Sequence, residues 1–417
     1  MFALVDANAF YCSAEQVFRP DWRGKPMIVL SNNDGCVVAA NRQAKELGVE
    51  KFKPYFQVQA LCEAQSVIVC SSNYELYGDL SDKMMQVIGR FAPDQHVYSI
   101  DESFLSFHRC SAIPDLRDHA KALRRAVWKE CRLAVGVGMG TTMTLAKAAN
   151  NAAKKLPGYD GVCVLNSELM RLDVLEQMAV EDVWGVGRRI AARLKRQGIE
   201  TALQLSRQKP TLIRREFNVE MERTVRELNG EVCKGWDASR ADKQQIFSTR
   251  SMGERIVDEV SLHQALCKHA GIAAAKLRAQ KSASSVLMVF AGNSPYDERP
   301  KSFKQLHRFA FAVDDTTVIT RAVSELVPLL FEPGVKYYKV GVGLLDIARV
   351  DHIQPDLFDS QPGNPTLMKA YDSLNKRYGT GTVFMAAQGI APKWGMRREF
   401  LSPQYTTRWR DLPRVKC

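Results

Sequence analysis

The chain has 417 residues, enough for two to four domains with cores of their own. Apolar residues make up 46% and charged residues 25%, an ordinary globular balance that excludes collagen-like and low-complexity chains. Lys and Arg outnumber Asp and Glu by 58 to 46; the resulting net charge of +12 favours a polyanionic partner.

Met1 leads straight into an apolar strand, so no N-terminal signal is expected, and no apolar run is long enough to cross a bilayer. The ten cysteines are scattered, with no Cys-x-x-Cys and no zinc-like Cys/His spacing. They read as incidental thiols in a reducing cytosol.

Residues 1–30 read as strand, helix, strand. Phe2-Ala3-Leu4-Val5 runs into Asp6, Asn8 to Phe18 has helical apolar spacing, and Pro26-Met27-Ile28-Val29-Leu30 is a second apolar strand. A short helix from Asn41 to about Leu47 ends at Gly48. From there to about Ser72 the pattern is short and irregular. Tyr74 to Phe91 is a long amphipathic helix.

Tyr98-Ser99-Ile100-Asp101-Glu102-Ser103-Phe104-Leu105 then sets two adjacent carboxylates in an apolar frame. Neighbouring residues of a strand face opposite sides. Asp101 and Glu102 therefore point the same way only if a turn or bulge intervenes, or if one metal at the strand edge reaches both. On its own an Asp-Glu pair is usually a solvated turn or a helix N-terminus. Three carboxylates on neighbouring apolar strands would repel one another unless divalent cations bind them, and hard oxygen donors suit magnesium.

A helix near 114–130 leads to the strand Leu133-Ala134-Val135-Gly136-Val137-Gly138. Thr141 to Lys155 is a helix capped within its Thr pair, carrying Lys147 and Lys154. Gly136-Val137-Gly138-Met139-Gly140 echoes a dinucleotide fingerprint but lacks the acidic residue that should close a later strand.

Residues 166–235 are mostly helical. Within them Trp184-Gly185-Val186-Gly187-Arg188-Arg189 has the form of a helix-hairpin-helix turn, whose backbone N–H groups can hold a phosphate without reading sequence. From Lys243 the order is strand (246–256), helix (261–279), strand (285–291), strand (303–313), helix (316–330), strand (335–345). The last 70 residues carry few periodic runs.

Asp6-Ala7-Asn8-Ala9-Phe10-Tyr11 together with Ser99-Ile100-Asp101-Glu102 resembles the Y-family translesion DNA polymerases, over nearly all 417 residues. Within that family the chain is similar to the UmuC-type catalytic subunits. The resemblance implies an α+β multidomain right-hand polymerase: a ferredoxin-like palm (1–30 and 73–165), small fingers (31–72) and a helical helix-hairpin-helix thumb (166–235). A linker (236–243), an α/β little finger (244–348) and a C-terminal tail (349–417) complete it.

The resemblance also implies roles. Asp6, Asp101 and Glu102, with the Ala7 carbonyl, would hold two Mg2+ ions. Phe10, Tyr11, Lys45 and Lys154 would bind the incoming dNTP, Tyr11 lying under the sugar and excluding a 2′-hydroxyl. Lys45 stands where Arg is commoner, and Arg42 where Tyr is usual, so the triphosphate clamp is partly rearranged. Gly185, Gly187, Arg188 and Arg189 would grip DNA phosphates, as would Lys243, Arg250, Arg255, Lys301, Lys304 and Arg308. Gln354-Pro355-Asp356-Leu357-Phe358 resembles the peptide by which bacterial polymerases dock on the sliding clamp, through Gln354, Leu357 and Phe358. A basic, aromatic end segment from Trp394 suggests a further contact.

Primer-template DNA, dNTPs, the sliding clamp, a UmuD'-like accessory dimer and RecA are the implied partners, in the bacterial cytosol and on the nucleoid. The implied function is error-prone translesion synthesis in the SOS response. A non-catalytic DNA-bound adaptor is the competing reading, and the presence of all three acids favours the enzyme.

Overall fold

The computed structural model describes residues 1–108, 110, 113–235, 242–352, 363–390 and 394–412. The chain forms two compact units, Met1–Ala238 with Phe400–Cys417, and Ser239–Glu399.

The first unit opens with β1 (Phe2–Ala7), α1 (Phe10–Phe18), β2 (Met27–Leu30), β3 (Val37–Ala40), α2 (Arg42–Glu46), α3 (Tyr55–Ala64) and β4 (Ile68–Ser71). Then come α4 (Tyr74–Gly89), β5 (Asp94–Val97), β6 (Glu102–Ser106), α5 (Leu116–Cys131), β7 (Val135–Gly140), α6 (Met143–Lys155) and β8 (Val162–Val164). Five helices follow: α7 (Glu168–Gln177), α8 (Arg188–Arg196), α9 (Ala202–Ser206), α10 (Pro210–Glu216) and α11 (Val219–Leu228).

The main sheet has the order β5-β6-β1-β7-β8, with β1 antiparallel to both neighbours. Strand alternation sorts its side chains. Ala3, Val5 and Ala7 of β1 join Val135, Val137 and Met139 of β7 in the core under α4 and α5. Leu4 and Phe104 point to the other face, where Met143 and Ala146 of α6 cover them. By the same period Asp6, Glu102 and the three glycines of β7 lie on the α6 side.

Those glycines have a steric reason. A Cβ on Gly138 would lie 2.0 Å from the Asn150 backbone nitrogen and 2.5 Å from the Ala146 carbonyl oxygen. Helix α6 thus presses its backbone onto β7, and Asn150 Nδ2 bonds the Gly136 and Leu4 carbonyls at 2.9 and 3.2 Å. The echo of a dinucleotide fingerprint is a close helix–strand contact.

The second expected strand is present, but it lies in a separate small sheet of order β3-β2-β4 and does not pair with the main one. A boundary at residue 30 therefore cuts that small sheet. All four residues of β2 are buried, so no alternation marks which sheet owns it. The stretch expected to be irregular contains α3 and β4; α3 buries only Val58 and Cys62, too thin a stripe to read as periodic.

The second unit holds β9 (Ile246–Ile256), α12 (Glu259–Ala279), β10 (Ser282–Gly292), β11 (Ser302–Val313), α13 (Thr316–Leu330), β12 (Tyr337–Arg349) and α14 (Pro365–Tyr378). Its antiparallel sheet has the order β11-β10-β12-β9, with α12 and α13 forming a core against Leu287, Val289, Val340 and Val342. The chain after 349 is more structured than its sequence suggests. α14 buries only Met368, and Phe400 onward returns to the first unit.

Candidate active site

A turn intervenes between the two adjacent acids of the hairpin. Tyr98 and Ser99 donate their backbone N–H groups to the Glu102 carbonyl at 3.0 and 3.1 Å, which places Asp101 in the turn and Glu102 at the start of β6. Ser99 Oγ donates to Asp101 Oδ1 at 2.6 Å. The Ala7 N–H donates to the Asp101 carbonyl at 2.9 Å, tying the turn to the end of β1.

Asp6 is the direct cross-strand partner of Glu102, and the two carboxyl groups meet. Each has a lysine from α6: Lys154 pairs with Asp6, and Lys147 with Glu102 at 2.8 Å. Burial holds the Asp6 carboxyl above its ordinary range; Lys154 opposes this and the nearby Glu102 adds to it. Among the described residues the three acids do not close into one three-ligand cluster, since Asp101 is turned to Ser99.

Lys147 has no role in the sequence pattern beyond its place on the 141–155 helix. Its ammonium also lies 4.7 Å from the Tyr98 ring centroid and 5.5 Å from that of Trp184. The signal was available: Lys147, Asn150 and Lys154 stand three and four residues apart, on one helix face.

Asp6, Ala7, Phe10, Tyr11, Lys45, Asp101 and Lys154 line one cavity of about 1020 Å³. Glu102 lies in an adjoining recess of about 270 Å³ shared with Asp6, Lys147 and Lys154. Of the ring pair, Phe10 is 3% exposed, while Tyr11 is half-buried. Ala9, at φ 44°, takes the left-handed conformation that starts α1 just beyond the acid. Lys45 enters from α2, its pKa lowered by burial and then by Lys51.

The helix-hairpin-helix residues lie apart from this cavity. Gly185, at φ +94°, makes the turn, Gly187 precedes α8, and Val183 and Val186 anchor the hairpin in the helical core. Arg188 and Arg189 are exposed and form no ion pair with another described residue.

In the second unit Arg255 pairs with Asp297 at 3.2 Å, Arg308 with Asp346 at 3.9 Å, and Lys301 with Glu332. Lys304 is exposed on β11. Gln354, Leu357 and Phe358 lie outside the described residues.

The model of the impB/mucB/samB family matches residues 5–151, and the C-terminal domain model of the same family matches 243–357. Protein UmuC of Salmonella typhimurium is 42% identical over the full length of both chains, and Protein SamB of Salmonella typhimurium is 42% identical over the same extent.

The chain belongs to this family.

A domain of unknown function is matched at 365–415. DNA polymerase IV of Bacillus cereus is 28% identical over 60% of this chain and 58% of its own. Among solved structures, a Y-family polymerase chimera of Dbh and Dpo4 superposes with a TM-score of 0.64 at 18% identity, covering 84% of this chain and all of the other. The insertion ternary complex of Dbh DNA polymerase gives 0.53 at 19%, with the same coverage.

This member of the family has the Y-family fold and is a DNA-directed DNA polymerase. It performs error-prone translesion synthesis in the SOS response to DNA damage. It binds DNA and nucleotides and uses divalent metal. The adaptor reading is not favoured. No described helix is long and apolar enough to cross a membrane.

Proposed function

We propose that Asp6, Asp101 and Glu102, with the Ala7 carbonyl, hold two Mg2+ ions for phosphoryl transfer from a dNTP to a primer 3′-hydroxyl. The observation that carries this is the direct opposition of Asp6, at the wall of the cavity of about 1020 Å³, and Glu102, in the adjoining recess, with Asp101 in the turn beside them. The donor set fits a hard divalent cation: every donor is an oxygen, and two of the carboxyl groups already face one another at a cost that a cation would relieve. Bound there, the ions would activate the hydroxyl and neutralise charge on the departing pyrophosphate.

The protein's own groups do the rest. Lys154 and Lys45, which line the same cavity, bind the triphosphate as point charges. Tyr11 lies beneath the sugar and excludes a 2′-hydroxyl sterically, with Phe10 buried behind it. Asp101, which accepts from Ser99 Oγ in the turn, would be the third carboxylate to hold the ions. Gly185 and Gly187 present backbone N–H groups to DNA phosphates beside Arg188 and Arg189. In the second unit Lys243, Arg250 and Lys304 are the stronger phosphate candidates, because Arg255, Lys301 and Arg308 already have carboxylate partners.

Docking on a sliding clamp through Gln354, Leu357 and Phe358, and activation by a UmuD'-like dimer and RecA in the cytosol and on the nucleoid, belong to the same reading. Asp101→Asn tests its centre. Primer extension with Mg2+ and accessory partners should fall more than about a hundredfold, since ligated metal supplies several kcal/mol of charge stabilisation. Binding of primed DNA should persist. Near-normal extension by Asp101→Asn would sink the two-metal assignment.

A further inference from the structure

Tyr11 rests on a second tyrosine. Its ring lies on that of Tyr77, with centroids 4.6 Å and planes 18° apart. Tyr77 is fully buried, and its hydroxyl donates to Glu15 Oε1 at 2.7 Å. Glu15 is fully buried too, one turn beyond Tyr11 on α1, and its Oε2 has no partner among the described residues. Burial raises its carboxyl pKa, with the two hydroxyls it accepts from opposing that shift.

The second of those hydroxyls comes from the far end of the sequence. Ser402 Oγ donates to Glu15 Oε1 at 3.0 Å. Asn73, also fully buried, donates through Nδ2 to Ser402 Oγ at 2.9 Å and to the Ser402 and Pro403 carbonyls at 3.1 and 3.2 Å. Its Oδ1 caps α4, the helix that carries Tyr77. On either side, the Ser71 N–H donates to the Phe400 carbonyl at 2.9 Å, and Tyr405 stacks on Phe18 at 4.6 Å.

An apolar plug would seat a returning segment without burying a carboxyl. A buried polar network does something a plug does not: it fixes direction as well as proximity. Here the direction fixed is that of the Tyr77 hydroxyl, and with it the ring under Tyr11.

We propose that Phe400–Tyr405 is a positioning strap of the nucleotide pocket: Ser402, acting through Glu15 and Tyr77, holds the Tyr11 ring where it discriminates deoxyribose from ribose. This gives a function to part of the domain matched at 365–415, and it rests on the reading of Tyr11 as the residue beneath the sugar.

The test uses the full chain with primed DNA, Mg2+ and its accessory partners, and measures kcat/KM for insertion of a dNTP and of the matching ribonucleotide. Ser402→Ala should lower the deoxy/ribo ratio about fivefold while deoxynucleotide kcat changes less than about twofold, the scale of one lost hydrogen bond. Ser402→Thr, which keeps the hydroxyl, should retain the ratio. Tyr77→Phe, lacking only the hydroxyl, should behave as Ser402→Ala does, and the double variant should be no worse than either, because one network is being broken.

Tyr11→Ala is the control for the underlying reading. If it collapses the ratio while Ser402→Ala and Tyr77→Phe leave it intact, the strap inference is overturned and the role of Tyr11 stands. An equal loss for both sugars in Ser402→Ala makes the strap a structural anchor only, and also overturns it. A Tyr11→Ala enzyme with unchanged discrimination removes the sugar reading and the inference together.

Discussion

Asp6 and Lys45 are each displaced from the ordinary titration range of their type, and burial is the largest cause for both. They face one cavity, where desolvated charge of both signs would suit a polyanionic substrate and its cations. His269 is displaced in the same manner with no such use. It is 5% exposed on α12, its Nδ1 is 2.8 Å from Ser248 Oγ, and its Nε2 has no partner among the described residues. Burial, then the positive charges of Arg250, Lys268 and Lys276, lower its pKa from 6.5 to about 4. A base with a depressed folded pKa favours the folded state above its unfolded value, and that contribution is lost as pH falls from 6.5 through about 4. Over this window the wild type should lose more stability than His269→Gln, by up to about 3 kcal/mol at the acid end. Denaturant titrations of both proteins at pH 7, 5.5 and 4 measure the difference; parallel profiles would show that His269 protonates without penalty.

Helix α6 and strand β7 show what an element contributes beyond its residues. The alternation Gly136-Val137-Gly138-Met139-Gly140 puts large side chains into the core and bare backbone toward α6, whose approach delivers Lys147 and Lys154 to the acids. Gly138→Ala must push α6 off the strand, because its Cβ would meet backbone and not a movable side chain. A loss of about 3 kcal/mol or more is expected, the scale of severe overpacking. Gly187→Ala is the contrast: φ is −81° and nothing lies within 4 Å of its Cβ, so the fold should tolerate it. A methyl group there would still obstruct phosphate approach, so weaker DNA binding at unchanged melting temperature is expected. Equal effects of the two substitutions on stability would refute the distinction. The legibility of the sequence follows the same physics. Residues 316–330 were readable to the residue because the helix buries a broad apolar face, Asp315 caps its start and Pro333-Gly334 follow its end. The helices α3 and α14 were not, having one or two buried positions each. Asp6, Asp101 and Glu102 were legible as a pattern, but the turn that separates the last two was only one of the options left open. The link from Ser402 to Glu15 spans 387 residues of sequence, and no local pattern encodes such a contact.

At the scale of the whole molecule the +12 charge provides a sequence-blind grip on DNA, and a clamp peptide would add a second, apolar grip on protein. Gln354-Pro355-Asp356-Leu357-Phe358 falls at the seam between the family's C-terminal domain model, which ends at 357, and the model that begins at 365. The surrounding sequence, with Asp359, Pro362 and Gly363, gives Leu357 and Phe358 neither a helical nor a strand period. Two adjacent apolar side chains in so polar a setting suit a hydrophobic pocket on a partner, with Gln354 adding a hydrogen bond. Each buried apolar side chain contributes roughly 1.5–3 kcal/mol, so Leu357→Ala/Phe358→Ala should weaken clamp binding by at least about a hundredfold. The acids and lysines of the active site belong to the other unit, so extension on a short primed template without clamp should be unchanged. Clamp-stimulated extension should drop to that basal level. A double variant that binds the clamp as tightly as wild type would mean that this segment is not the clamp anchor.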